Sequence, residues 1–158
     1  YLNKFPDHED MVVVSPDVGS VARSRTFANK MCMNLAIVDK RREKANLCEV
    51  MNVIGDVAGK RCILFDDMVD TAGSLCNAAQ AIHDKGATEV YACATHGVLS
   101  GPAIERIQNS VIDELVLLNT IPAPEAARGT KIKYLDVAPM FAEAIQRTYE
   151  EISLSPMF

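Results

Sequence analysis

The chain has 158 residues, 49% of them hydrophobic and 23% charged, and a formal net charge of −5. That length supports one domain with a sizeable core and is short for two. An acidic balance with a pI near 5.2 excludes a general basic footprint, so neither nucleic acid nor an anionic membrane is expected as the main partner. No apolar run approaches the roughly 20 residues of a membrane span, and no charged-then-apolar start resembles a secretory signal, so a cytoplasmic location is expected. Cys32, Cys48, Cys62, Cys76 and Cys93 lack paired or histidine-linked spacing, which predicts ordinary reduced thiols.

In chain order, residues 11–14 and 35–38 are apolar runs of strand length, as expected for strands buried on both faces of a parallel sheet. Between them, Val18, Val21, Ala22, Phe27, Ala28 and Met31 recur at near-helical spacing, leaving Arg23, Arg25 and Lys30 to face water. The pattern predicts a strand at 62–65, a helix at 74–85 closed by Gly86, a strand at 90–95 and a short helix at 102–109. Strands at 115–118 and 132–135 and a helix at 138–151 follow, with 122–129 as a surface loop. This alternation predicts an α/β fold, a mostly parallel open sheet with helices on both faces, in which ligands gather outside the carboxyl ends of the strands.

Polar sets just after predicted strands are therefore the candidate chemistry: Ser15-Pro16-Asp17, Asp39-Lys40-Arg41-Arg42, Asp66-Asp67 and Thr95-His96-Gly97. Residues 63–74 run from an apolar strand through an acidic pair into a small-residue turn that opens a helix. Backbone N–H groups at such a turn can cradle a phosphate, because a first helical turn leaves its donors unpaired and the macrodipole is positive there. Asp66 and Asp67 would repel that phosphate, so their expected work is accepting hydrogen bonds from sugar hydroxyls or holding a metal against the ligand. The bland alternative is a helix start with acidic neighbours that merely stabilise it. No G-x-x-x-x-G-K-[ST] is present, and no G-x-G-x-x-G follows a strand.

Residues 40–44 form a dense basic run at the carboxyl end of a predicted strand. A solvated charge run is the usual reading of such a patch, whereas its place on the ligand edge suits stabilisation of charge in phosphoryl transfer. Asp17 in Ser-Pro-Asp is an ordinary turn or cap when read alone, and equally a single carboxylate of the kind Mg²⁺ accepts beside water and substrate phosphates. His96 is expected to be a hydrogen-bonded strand-end residue rather than a base, and His8 and His83 carry no signal.

The segment FDDMVDTAGS resembles the phosphoribosyl pyrophosphate fingerprint of type I phosphoribosyltransferases and ribose-phosphate pyrophosphokinases. VVVSPDVGS, AIVDKRREKAN, EVMNVIGDVAGK, GATEVYACATHGVLSGPAIERI and SLSPMF, in that order across nearly the whole chain, resemble the carboxyl-terminal half of class I ribose-phosphate pyrophosphokinases. The resemblance implies transfer of diphosphate from ATP to the C1 hydroxyl of ribose 5-phosphate, with Mg²⁺ as cofactor and AMP as co-product. It implies ribose 5-phosphate binding by Arg42, Asp66, Asp67, Asp70, Thr71, Ala72, Gly73 and Ser74, catalysis by Lys40 and Arg42, and metal binding by Asp17. It further implies a homo-oligomer, a hexamer when complete, with phosphate or ADP bound allosterically through Ser153, Ser155 and Phe158.

Departures from the family pattern are Ser20 for a second glycine, Glu43 for proline and Ser74 for threonine. Family chains are about twice as long, and most ATP contacts belong to an amino-terminal half absent here. With Tyr1 at its start, the sequence is expected to be one phosphoribosyltransferase-like domain of a two-domain enzyme and largely inactive alone. A non-catalytic regulatory subunit or phosphoribosyl pyrophosphate sensor is the competing expectation, and a true phosphoribosyltransferase lacks support because no base-recognition hood is evident. The intact Lys40, Arg42 and Asp66 favour the enzyme.

Overall fold

Val12, Val13 and Val14 are each fully buried, which requires cover on both faces of the strand that carries them. A computed structural model describes residues 10–41 and 50–157 and supplies that cover. The elements are β1 (Met11–Ser15), α1 (Val21–Lys30), β2 (Asn34–Arg41), β3 (Val50–Ile54), β4 (Arg61–Val69) and α2 (Gly73–Asp84). They continue as β5 (Glu89–Gly97), α3 (Ala103–Gln108), β6 (Glu114–Leu118), β7 (Ile132–Leu135) and α4 (Ala138–Tyr149).

The strands form one seven-stranded sheet in the order β3-β2-β1-β4-β5-β6-β7, parallel except for the β2–β3 pair. The expected mostly parallel α/β architecture is therefore present. β3 was not expected, since the polar residues after the basic run read as loop. It pairs antiparallel with β2, from Arg41 opposite Val50 to Ile37 opposite Ile54. Gly55 ends this strand at φ +115°, and a Cβ there would stand 2.9 Å from the Ala36 Cβ, so the turn requires glycine.

Alternation along the strands divides the core. Val12, Val14, Cys62 and Leu64 pack with Leu75, Ala78, Ala79 and Ile82 of α2 and with Ala103 and Ile107 of α3. Met11, Val13 and Ile63 face the other way, toward Ala28 of α1, where Phe27 stacks on Phe65 with ring centroids 4.4 Å apart. The α2 residues sit at intervals of three and four, so one stripe faces the sheet. Fully burying a side chain such as Ile82 is worth about 2 kcal/mol.

The four described cysteines are free, as expected of reduced thiols, and burial pushes the Cys62 and Cys93 thiols up to about 12, which leaves them unreactive at neutral pH.

α4 carries no buried residue, and Phe141, Ile145 and Tyr149 lie along it in the open. Its start is nonetheless fixed. Asp136 Oδ1 accepts from the Ala138 N–H at 3.0 Å and from Asn119 Nδ2 at 2.8 Å, and these bonds hold the carboxyl below its ordinary value of 3.8. A carboxylate depressed in the folded state contributes stability above the unfolded pKa and loses it as pH falls through the folded value. Asp136→Ala should therefore lower the thermal midpoint at pH 7 and flatten its fall in acid, as read by melts across a pH series.

Candidate functional site

The chain passes outward from β1 to β2 and β3, then returns to place β4 on the other side of β1. Such a reversal opens a crevice at the carboxyl ends of the two strands, where α/β folds hold ligands. Here that crevice is a cleft of about 290 Å³ lined by Asp17 and Ser20 from the β1–α1 turn and by residues 66–75. Asp17, Asp66, Asp67, Asp70, Thr71, Ala72, Gly73 and Ser74, all singled out by sequence, thus share one site.

Serines organise the β1 side. Ser15 Oγ donates to the Asp17 carbonyl at 2.7 Å, and the Ser20 N–H donates to Asp17 Oδ1 at 2.7 Å, closing the turn. Buried Ser20 also donates its hydroxyl to Asp66 Oδ1 at 3.3 Å, linking the two carboxylates. The glycine usual at that position could not make this bond.

The acidic pair lies within β4, not after it. Asp66 pairs with Ala94, and Met68 with His96, so the sheet fixes the backbone of Asp66 and of the residue after Asp67. The electrostatics of the two aspartates diverge. Burial raises the Asp66 carboxyl above the ordinary 3.8, and the like charges of Asp67 and Asp17 add to this against a bond from the Asp67 N–H at 2.9 Å. Burial would push Asp67 up as well, but Arg23 Nη1 at 2.7 Å from Oδ2 holds it below its usual range. Arg23 is exposed, as the helical stripe predicts, and from that surface position pairs with Asp67 at the rim of the site. Its long side chain reaches from α1 across to the end of β4.

After Val69 the chain turns through residues 70–72 into α2. Ala72 adopts φ +60°, the left-handed region, and is buried, so the turn is held by its surroundings rather than by a glycine. α2 begins at Gly73, and the Ala72 carbonyl accepts from the Cys76 N–H at 3.0 Å. Gly73, Ser74 and Leu75 of the first helical turn thus line the same cleft as the carboxylates.

Lys40 lies exposed near the end of β2. Ser15 pairs with Ile37, so β2 overhangs β1 and carries Lys40 about 10 Å further along the strand direction. Arg42 and Phe158 lie outside the described residues. Ser153 and Ser155 do not line the cleft; Ser153 accepts through its carbonyl from Arg147 at 3.2 Å and through its hydroxyl from the Ser155 N–H at 3.2 Å. His96 is a strand-end residue with Nδ1 2.8 Å from Thr120 Oγ1, as expected.

A family model described as the phosphoribosyl synthetase-associated domain matches residues 41–158. The chain belongs to the phosphoribosyl synthetase family. Ribose-phosphate pyrophosphokinase of Clostridium tetani is 59% identical over 156 residues, covering 99% of this chain and 49% of that relative. The crystal structure of phosphoribosylpyrophosphate synthetase from Mycobacterium smegmatis superposes with a TM-score of 0.85 at 38% identity, over 96% of this chain and 49% of that one. The chain therefore spans about half the length of these phosphoribosyl synthetase relatives, which are enzymes. A purine phosphoribosyltransferase from Pyrococcus horikoshii shares the fold, with a TM-score of 0.52 at 16% identity over 85% of this chain and 78% of that one.

Proposed function

We propose that this chain is the carboxyl-terminal, ribose 5-phosphate-binding half of a ribose-phosphate diphosphokinase, which transfers diphosphate from ATP to the C1 hydroxyl and releases AMP. The observation that carries the reading is the cleft at the β1/β4 reversal, lined both by the carboxylates and by the residues that open α2. Amides there suit the 5-phosphate, and Asp66 and Asp67 suit ribose hydroxyls.

Mg²⁺ fits this donor set. Asp17, Asp66 and Asp67 concentrate negative charge around one cleft; burial chiefly raises Asp66, repulsion from its neighbours adds to it, and a divalent cation would offset both. Among the described residues no group of three or more histidine, cysteine or acidic side chains forms a full metal cage. Asp17 would hold the ion with water and substrate oxygens completing its shell, as Mg²⁺ prefers. Bound there, the ion would screen phosphate charge and orient the diphosphate. The protein's part is alignment for in-line attack by the sugar hydroxyl, with Lys40 and Arg42 opposing the charge in transfer.

In this reading ATP is held mostly by the half of the relatives that the chain does not span, and the complete enzyme is a homo-oligomer, hexameric in the fullest form, with phosphate or ADP as effectors at the terminal segment. Calorimetric titration of the 158-residue chain with ribose 5-phosphate and Mg²⁺ is expected to give saturable, weak binding, while AMP formation from ATP stays negligible. No saturable heat up to about 10 mM would defeat the sugar-phosphate site. Robust AMP formation by the chain alone would instead defeat the division between halves.

A further inference from the structure

The turn between β4 and α2 exposes its amides to the cleft only if its carbonyls point elsewhere. The segment joining β5 to α3, together with α3 itself, takes up three carbonyls in succession. The Val69 carbonyl accepts from the Val98 and Leu99 N–H groups at 2.9 and 3.1 Å, and the Asp70 carbonyl accepts from the Ser100 N–H at 3.1 Å. The Thr71 carbonyl accepts from Arg106 Nη1 of α3 at 2.9 Å. In a planar trans peptide the C=O and the following N–H point in opposite directions. Each tether therefore turns the next amide, of Asp70, Thr71 and Ala72 in order, away from the α3 side.

Arg106 is the one side chain among these donors, and it acts at the peptide preceding Ala72, whose left-handed φ of +60° needs outside support. The guanidinium also runs alongside the loop. A Cβ added to Gly73 would sit 3.6 Å from Arg106 Nη1. It thus supplies an oriented, charge-assisted donor and a positive charge behind the amide cradle.

We infer that Arg106 is a positioning residue for phosphate binding: by tethering the Thr71 carbonyl it holds the cradle in the geometry that receives a sugar phosphate, without touching the ligand. This rests on the sugar-phosphate reading of the cleft. It gives a role to a residue on the far side of the loop.

The test compares the parent chain with Arg106→Met and Arg106→Lys, titrating each with ribose 5-phosphate and with inorganic phosphate while following backbone amide resonances. Arg106→Met is expected to bind ribose 5-phosphate about ten-fold more weakly, a loss typical of one charge-assisted hydrogen bond. Its Thr71 and Ala72 amide signals should already be displaced without ligand, while those of the distant β6 strand stay in place. Arg106→Lys keeps a charged donor and should recover part of the affinity; it decides the matter should the methionine variant fail to fold. Equal affinity in parent and both variants overturns the inference and leaves the sugar-phosphate site standing, as does a loss of affinity with unmoved loop amides. Absence of binding by the parent overturns both.

Discussion

Replacing Asp66 by asparagine is expected to raise the thermal midpoint of the chain by about 2 °C while weakening ribose 5-phosphate binding by about ten-fold or more. The two effects have opposite signs because the carboxylate is costly to the fold and, on the proposed reading of the cleft, would serve the ligand. Asp66 is half-buried beside Asp67 and Asp17, and its carboxyl lies above the ordinary 3.8. A group whose folded pKa is raised favours folding when protonated, and that benefit is lost as pH rises through the folded value, so at pH 7 the ionised side chain is a liability. Asparagine keeps the acceptor that Ser20 Oγ and the Asp67 N–H use, at 3.3 and 2.9 Å, and removes the charge while turning the other oxygen into a donor. The variant should also lack the gain in stability that protonation of Asp66 is expected to give the parent on mild acidification.

What asparagine cannot do is accept hydrogen bonds at both positions from sugar hydroxyls or offer a cation negative charge. Asp67→Asn should lose affinity without the stability gain, because its exposed carboxylate is already paired with Arg23, and such pairs are worth about 1 kcal/mol or less. Melting curves and titrations of both variants test this. An Asp66→Asn chain that binds like its parent would remove Asp66 from the sugar site; a lowered midpoint would mean that burial costs less than the ionic hydrogen bonds return.

The architecture was legible where a single physical demand dominates. Runs such as Val12-Val13-Val14 have no use outside a strand covered on both faces, and the α2 stripe of Leu75, Ala78, Ala79 and Ile82 has none outside a helix on a sheet. β3 escaped because Val50-Met51-Asn52-Val53-Ile54 forms an edge strand with Ile54 half exposed, so no continuous apolar run announces it. The end of β4 escaped for a related reason. Backbone pairing with β5 takes in Asp66, Met68 and Val69 regardless of side-chain polarity, whereas a hydropathy reading stops at Phe65.

At the site, carboxylates and small-residue turns advertise their chemistry locally, and the fold gathered them into one cleft. Contacts between distant segments were not legible. Arg23 sits on the polar stripe of α1 by periodicity, yet its side chain closes on Asp67; Arg106 reads as a surface helix residue, yet it donates to the Thr71 carbonyl. Both depend on how α1 and α3 seat on the sheet, which no local pattern encodes. The left-handed Ala72 belongs here too, since sequence alone would place glycine there.

The largest effect is expected at Lys40. In an enzyme comprising this chain and the ATP-binding half, Lys40→Ala should lower kcat by about 10²-fold or more, the usual loss when one donor to a developing anion is removed, with KM for ribose 5-phosphate changed little. The separation follows from placement. The sugar phosphate would lie in the β1/β4 cleft, whereas Lys40 stands on the overhang of β2, three residues beyond the Ile37 that pairs with the end of β1. In the proposed reading a cation on that overhang would meet the diphosphate in transfer rather than the 5-phosphate, so its contribution is expected in the transition state and hardly in sugar binding. Arginine at the same position preserves charge but not the compact ammonium and should restore only part of the rate. Steady-state kinetics of the two variants decide between this role and a solvated surface charge: an unchanged kcat assigns Lys40 to solvent, and a rise in KM at constant kcat moves it into the sugar site.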